Sequence, residues 1–213
     1  MLQRAKNWCA RSARVASRIG GAVALTMSAV VVGTGTLVPV AQALNASGVV
    51  NAYYQVSSVA AGSVTLGAGT SGAVHTLIAG DHTMLIQMTG TIAQGLGRYE
   101  LLTVSSVSGS TISFSTPVTR TYDATKSVQL VWMPYDATGV TVTAAVTAAP
   151  WNGTTGGVIA LGGSTLTLNA GLDATGKGYT PTSGPAASTD GGNGLTGIDF
   201  GVYAVMGGGA GGG

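Results

Sequence analysis

The sequence predicts an all-β protein: a small antiparallel barrel or sandwich, followed by the start of a β-solenoid-like segment and a disordered Gly-rich tail. Three observations predict this class. Only 8% of the residues are charged, so the helix-favouring Glu and Lys are scarce. Val, Thr and Ser instead fill short runs of alternating polarity, which is the pattern of half-buried strands. Gly, Asn, Asp and Pro interrupt these runs every few residues, as turns between strands require.

Residues 1–43 have the composition of a signal peptide. Residues 1–18 carry five basic side chains and no acidic one, residues 20–40 are apolar or small throughout, and residues 41–43 read AQA. A basic region, an apolar region and a small-x-small cleavage site together define a secretory signal. The alternative is a retained membrane anchor, which the glycines and Pro39 of the apolar run disfavour. We therefore expect a secreted or cell-surface protein, cleaved after Ala43, that meets the membrane only through this segment before cleavage.

Removal of the signal changes the charge of the chain. Four basic residues then face seven acidic ones, so the formal net charge falls from +2 to −3. Nucleic acid is not an expected partner, because binding it needs a basic patch that neutralises phosphates. The single cysteine, Cys9, leaves with the signal, so we expect no disulfide in the mature chain.

Residues 44–138 are predicted to form the antiparallel β domain. Two similar segments, 55–66 and 103–114, each read as strand, tight turn, strand. Their turns fall at Gly62 and Gly109, and hairpin turns of this kind demand a positive φ. Leu85, Ile86 and Met88 are predicted to supply core side chains. The predicted strands are 52–59, 62–66, 83–88, 98–107, 111–115 and 127–133.

Residues 139–179 are predicted to form β-solenoid-like strands. In the run 140–147, Val140, Val142, Ala144 and Val146 share one face, and the run 158–161 is apolar on both faces, as in a buried strand. The run 164–173 also alternates, and its predicted inward residues are Leu166, Leu168, Ala170 and Leu172. Short strands separated by glycine pairs are typical of solenoid coils. Residues 180–213 then read as a Gly/Pro/Ser-rich loop and flexible tail, with one candidate strand at 199–206.

Two glycine-rich motifs resemble ligand sites but lack essential residues. Residues 171–178 read GLDATGKG, in which Gly178 replaces the hydroxyl residue of a nucleotide-binding P-loop and Pro181 soon forbids a helix. The stretch GGNGLT at 191–196 has Thr196 where a calcium-binding repeat has Asp. We therefore predict turns or loops, with no bound nucleotide and no cofactor.

No set of residues predicts a metal site or a catalytic site. His75 and His82 flank Asp81, but a zinc site needs three or four ligands and the mature chain has no third His or Cys. This group is expected to be a surface loop in which Asp81 stabilises a turn. No serine is marked as a nucleophile, and the acidic residues are scattered. The sequence accordingly indicates a non-enzymatic protein.

Three aromatic residues near the junction of the two blocks are the candidate ligand contacts. Trp132, Tyr135 and Trp151 lie close to Pro134 and Pro150. Aromatic rings at such a place can stack on sugars, although they more often seal a domain boundary.

A family resemblance covers roughly residues 50–179. It is carried by four stretches: GRYELLTVSSVSGSTISF, SVQLVWMPYD, TAAPWNGTTGGVIAL and LTLNAGLDATGKGY. They resemble the N-terminal region of large secreted, glycine-rich, adhesin-like bacterial surface proteins, and WNGTTGG at 151–157 is the most specific part. The sequence departs from that pattern at Thr180 and Pro181, where a glycine pair is usual.

The resemblance implies a non-enzymatic structural or adhesion protein that forms the N-terminal part of a longer chain. Its expected partner is a surface glycan or another cell-surface protein, and it supplies no catalytic residues. The alternative is a carbohydrate-binding or carbohydrate-active β module that uses Trp132, Tyr135 and Trp151.

Overall fold

The computed structural model describes residues 28–32, 36–40, 43–91, 93–178, 197–199 and 203–207. Every regular element assigned within these ranges is a strand, which confirms the all-β class. No helical segment in them has the length and apolarity needed to cross a bilayer. The strands are β1 (Ser28–Val32), β2 (Thr36–Val40), β3 (Leu44–Val49), β4 (Ala52–Ala60), β5 (Ser63–Gly72), β6 (His82–Gln87), β7 (Tyr99–Ser108), β8 (Thr111–Phe114), β9 (Val128–Met133), β10 (Tyr135–Asp136), β11 (Val140–Thr147), β12 (Val158–Gly163), β13 (Leu166–Leu168), β14 (Leu172–Asp173), β15 (Gly197–Asp199) and β16 (Tyr203–Gly207).

Strands β4 to β9 close into a six-stranded antiparallel barrel. Their order around the barrel is β4-β5-β8-β7-β6-β9, and β9 pairs back onto β4. Because the ring of strands is closed, no strand of the barrel is left as an edge strand with a partner on one side only along its whole length. Of the predicted barrel or sandwich, the structure forms the barrel; five of its six strands lie within about one residue of the predicted bounds, whereas β5 continues to Gly72, beyond the predicted end at residue 66.

Successive residues of a strand point to opposite faces, so the barrel carries one set of apolar side chains in its interior and another on its outer face. The interior holds Leu85 and Leu130 among its fully buried residues, with Trp132 half-buried beside them. Ile86 instead points outward and packs with Tyr53 and Val131 in a second cluster, against which the half-buried Met88 also packs.

Only one of the two predicted hairpin turns uses a positive φ. Gly109, between β7 and β8, has a φ of +58°, as expected. Gly62, between β4 and β5, does not adopt a positive φ, so that prediction is wrong. The glycine of the β4–β5 turn therefore does not use the left-handed conformation.

The second part of the chain is built from parallel ladders. Strand β11 pairs in parallel with β3, β13 and β14, and β10 pairs in parallel with β12. The partners Val140 and Leu166 are 26 residues apart, as are Val146 and Leu172. The run 166–173 therefore returns alongside β11 once, in a single register, 26 residues later. The core of this part contains Leu44, Ala46, Val50, Val140, Val142, Val146, Ala148, Ile159, Leu161 and Ala174.

Two residues predicted to point into this core are exposed. Ala144 is exposed because the β3–β11 ladder shifts register between Val142 and Val146, which breaks the alternation. Leu168 is 55% exposed because β13 ends at this residue and the chain bends at 169–170. Leu166, Ala170 and Leu172 do pack against the core, as half-buried residues.

Strand β12 lies between the barrel and the second core. Val158 and Ala160 pack against the outer face of the barrel, whereas Ile159 and Leu161 face the second core. All four side chains are fully buried, which confirms the prediction of a strand that is apolar on both faces. Strand β16 pairs antiparallel with β12, and β15 pairs with β16.

Both ends of the chain fall largely outside the described residues. Within the predicted signal peptide, β1 and β2 form an antiparallel pair, and most of residues 1–43 lie outside the description. The predicted flexible tail, 180–213, and the GGNG motif also lie outside it, apart from β15 and β16.

Candidate functional site

Two buried side-chain amides join the barrel to the second part of the chain. Asn51 Nδ2 donates to the carbonyl oxygen of Ala160 and, at 2.9 Å, to that of Trp132, while Asn51 Oδ1 accepts from the N–H of Ala160 at 3.0 Å. Gln129 Oε1 accepts from the N–H of Gly156 at 2.8 Å, and Gln129 Nε2 donates to its carbonyl oxygen at 2.9 Å. Each side-chain amide therefore bonds both the N–H and the carbonyl of one residue, Ala160 or Gly156. It supplies the acceptor and the donor that the backbone of a neighbouring strand would otherwise supply.

A buried phenol adds a third bond of the same kind. The Tyr53 hydroxyl donates to the carbonyl oxygen of Val158. Burial raises the pKa of Tyr53, so the phenol stays protonated and remains a donor at physiological pH. We call Asn51, Tyr53 and Gln129 the junction clamp. Sequence reasoning missed these residues, and the available signal was an amide inside an otherwise apolar run, as at Gln129.

Trp132 lies at one end of the barrel and is already in contact with other side chains. Its indole N–H donates to Asp81 Oδ1 at 3.2 Å. The His75 ring stacks on the indole, with centroids 3.8 Å apart and planes inclined by 12°. His75 Nε2 also lies 2.8 Å from Asp81 Oδ2. Asp81 therefore connects the 73–81 loop to the barrel wall.

The predicted role of Asp81 is found, but its ring neighbours were not foreseen. Asp81 Oδ2 accepts from the backbone N–H of Ile78 at 2.8 Å, and the backbone N–H of Asp81 donates to the carbonyl oxygen of Ile78 at 3.2 Å, so Asp81 closes the 78–81 turn from its last residue. The Tyr54 hydroxyl donates to the carbonyl oxygen of His75 at 2.6 Å and holds the same loop. Burial raises the pKa of Tyr54 to about 12, and the negative charge of Asp81 acts in the same direction.

Tyr135 is the most accessible of the three candidate aromatic residues, with 37% of its surface exposed. It stacks on His82, with ring centroids 3.9 Å apart and planes inclined by 19°. Burial lowers the pKa of His82, although the charge of Asp81 opposes this effect. The neutral imidazole therefore predominates at physiological pH.

Trp151 belongs to the loop between β11 and β12. It is half-buried, and its backbone N–H donates to the carbonyl oxygen of Lys177 at 2.8 Å. Trp132 and Tyr135 thus lie at one barrel end, each stacked on a histidine that flanks Asp81, while Trp151 is attached to the turn that resembles a P-loop.

That turn differs from a P-loop in its backbone. Strand β14 leads into a turn at 175–177, and Gly176 has a φ of +65°. Asp173 Oδ1 accepts from the backbone N–H of Thr175 at 2.9 Å. The segment is a strand followed by a turn, whereas a P-loop leads from a strand into a helix. Among the residues that the structure describes, no three His, Cys, Asp or Glu side chains are grouped to hold a metal ion.

Comparison with known proteins finds little similarity. No protein-family model matches the sequence, and no curated protein matches it. Among solved structures, the chain is similar to the tailspike protein gp49 from Pseudomonas phage LKA1, with a TM-score of 0.30 and 17% sequence identity. The match covers 57% of this chain and 24% of that protein, so the chain spans about a quarter of the tailspike. A likeness this weak carries no argument about function.

Proposed function

We propose that this chain is a secreted or cell-surface, non-enzymatic structural or adhesion protein. In this proposal the barrel is the exposed module, and residues 139–179 are the start of a β-solenoid-like segment to which it is rigidly attached. The single observation that carries the proposal is the parallel pairing of β11 with β13 and β14 at a constant separation of 26 residues. One such parallel return beside the preceding strand is what a single coil of a solenoid produces.

The attachment of the barrel supports a mechanical role. The junction clamp binds the backbone of residues 156–160 by buried hydrogen bonds, so the barrel cannot reorient without leaving these polar groups unpaired. An unpaired buried group costs about 1–3 kcal/mol. A rigid joint of this kind suits a protein that holds a binding module away from a surface.

The start of β3 supports export. Leu44, which would be the first residue after cleavage, is also the first residue of the strand. Its backbone N–H donates to the carbonyl oxygen of Gly139 at 2.9 Å, and its side chain is only 7% exposed. A chain that began at Leu44 would retain every residue of the second core.

Retention of coated beads under flow tests the adhesion role. Beads carrying residues 44–213 should remain on bacterial cell surfaces at shear rates that remove beads carrying the unfolded chain. Protease treatment of the cells should abolish retention if the partner is a protein, whereas periodate should abolish it if the partner is a glycan. Equal detachment of folded and unfolded protein from untreated cells of several species would contradict the proposal.

A carbohydrate-binding module is the second candidate, and the exposure of Tyr135 is the observation that favours it. His75 covers one face of Trp132 and His82 covers one face of Tyr135, so the greater exposure of Tyr135 makes it the better ring for stacking on a sugar. A glycan array would detect saturable binding. Binding that is lost in Tyr135→Ala and Trp151→Ala but retained in Tyr135→Phe would support this candidate, and unchanged binding in both alanine variants would exclude it.

A further inference from the structure

A polar cleft lies on the barrel wall, away from the three candidate aromatic residues. Its volume is about 280 Å³, just below the range of about 300–1,000 Å³ that is typical of small-molecule sites. None of Trp132, Tyr135 and Trp151 lines it. The lining residues are Gln55, Val56 and Ser57 of β4, Thr89 after β6, Ala124, Thr125, Lys126 and Ser127 before β9, and Thr154 between β11 and β12.

The walls of the cleft are held together by hydrogen bonds. The backbone N–H of Ser127 donates to Thr89 Oγ1 at 2.8 Å, and the Ser127 hydroxyl donates to the carbonyl oxygen of Gly153 at 3.3 Å. Asn152 Oδ1 accepts from both the backbone N–H and the hydroxyl of Thr154 at 3.0 Å. These bonds connect three separate loops, so a ligand would find the walls already ordered and binding would lose little conformational entropy.

The cleft contains one cation, Lys126, that forms no direct ion pair with a carboxylate among the described residues. The half-buried Lys126 forms no ion pair there. The nearby Asp123 carboxylate instead accepts from the hydroxyl of Thr125 at 2.6 Å and from its backbone N–H at 3.0 Å. The hydrogen bonds from Thr125 and then the charge of Lys126 lower the pKa of Asp123, but no carboxylate oxygen among the described residues lies within ion-pair distance of Lys126, so its ammonium group can directly contact an anion that enters the cleft.

The rest of the lining matches a ligand with many hydroxyl groups. Gln55 Oε1 accepts from the backbone N–H of Gly69 at 3.2 Å, and Gln55 Nε2 has no partner within the described residues. The hydroxyl groups of Ser57, Thr89 and Thr154 each retain hydrogen-bonding capacity, because a hydroxyl both donates and accepts. A simple inorganic anion would use the lysine and leave these groups to water.

We propose that this cleft binds one acidic sugar residue, a uronate unit of an anionic glycan. The carboxylate pairs with Lys126, and the sugar hydroxyls exchange hydrogen bonds with Gln55 and the Ser and Thr side chains. This inference gives the proposed adhesion role a ligand class and rests on that role. Binding is measured on the purified protein in solution, so a failure here is distinct from a failure in the bead assay.

Calorimetric titration with digalacturonate and with diglucuronate tests the proposal. We expect saturable binding of at least one probe, with an affinity that falls as salt is added. The methyl ester of the same disaccharide keeps the hydroxyls and loses the charge, so it should bind at least about tenfold more weakly, a difference of about 1.4 kcal/mol. Sodium sulfate, which has the charge without the sugar, should also bind at least about tenfold more weakly.

Three variants with unchanged circular dichroism complete the experiment. Lys126→Gln should weaken binding of the acid at least tenfold, whereas Lys177→Gln, a lysine outside the cleft, should leave it unchanged. Gln55→Glu keeps the acceptor for Gly69 but adds a negative charge, so it should weaken binding of the acid more than binding of the ester. Equal affinity for acid and ester, equal affinity for sulfate, no effect of Lys126→Gln, or no saturable binding of either disaccharide would each overturn the proposal.

Discussion

Replacement of Asn51 by alanine should strongly destabilise the joint between the barrel and the second part of the chain. The side chain is fully buried and makes three hydrogen bonds, two of them to Ala160. The N–H and the carbonyl of one strand residue point to the same side, so both polar groups of Ala160 would lose their partner together. A small apolar side chain offers no replacement, and the site is closed to bulk water.

The size of the destabilisation follows from the N–H and the carbonyl of Ala160, which both lose their partner. A buried donor or acceptor left without a partner costs about 1–3 kcal/mol, and two such groups on one residue do not add fully. We therefore expect Asn51→Ala to lower the free energy of unfolding by about 3 kcal/mol. For a chain of this size that corresponds to a fall in Tm of roughly 6–12 °C.

Urea denaturation followed by circular dichroism measures this change, with Asn169→Ala as the matched control. Asn169 is exposed, so its replacement should change the free energy of unfolding by less than about 0.5 kcal/mol. Hydrogen exchange adds a local readout, because the amide of Ala160 should exchange faster in Asn51→Ala. Equal midpoints for the two variants, with the amide of Ala160 still protected, would refute the clamp.

Three further predictions concern the backbone, the pH dependence and processing. Gly72→Ala should cost at least about 2 kcal/mol in urea denaturation, because Gly72 has a φ of +84° and a Cβ there would collide with the carbonyl oxygen of Asn51. Gly62→Ala, with no positive φ and open space around it, should be nearly neutral, and equal costs for the two would contradict this view. Burial alone would raise the pKa of Glu100, but hydrogen bonds from Thr119 and the backbone of Arg120 outweigh it and hold the pKa below its ordinary value of 4.5. A carboxyl group whose pKa is lowered by folding stabilises the protein at pH values above its unfolded-state pKa, and this stability is lost as the pH falls through the folded-state pKa. Glu100→Gln should therefore make Tm fall less steeply below about pH 4.5 than it does in the wild type. Parallel curves of Tm against pH for the two proteins would count against this prediction. N-terminal sequencing of exported protein should return Leu44, and recovery of the initiator methionine would contradict cleavage of a secretory signal after Ala43.

The sequence by itself determined where the strands lie. Alternation and turn residues are local signals, so a strand predicted at 52–59 is observed at Ala52–Ala60, and one predicted at 127–133 is observed at Val128–Met133. The buried run at 158–161 was equally readable, because a strand covered on both faces must be apolar at every position. Local reading was wrong where the ladder shifts register, as at Ala144.

Only the tertiary structure decided which strands pair and which polar residues matter. The barrel order and the return of β9 onto β4 join segments far apart in the chain, and no local pattern encodes such pairs. By alternation Gln129 is an outward polar residue of a barrel strand. It belongs to the junction clamp only because β12 and the residues just before it cover that face and bring Gly156 within hydrogen-bonding distance. His75 and Trp132 stack although 57 positions separate them. Hydrophobic periodicity records only the average exposure of each face, whereas a buried hydrogen bond depends on which distant backbone group is brought within about 3 Å.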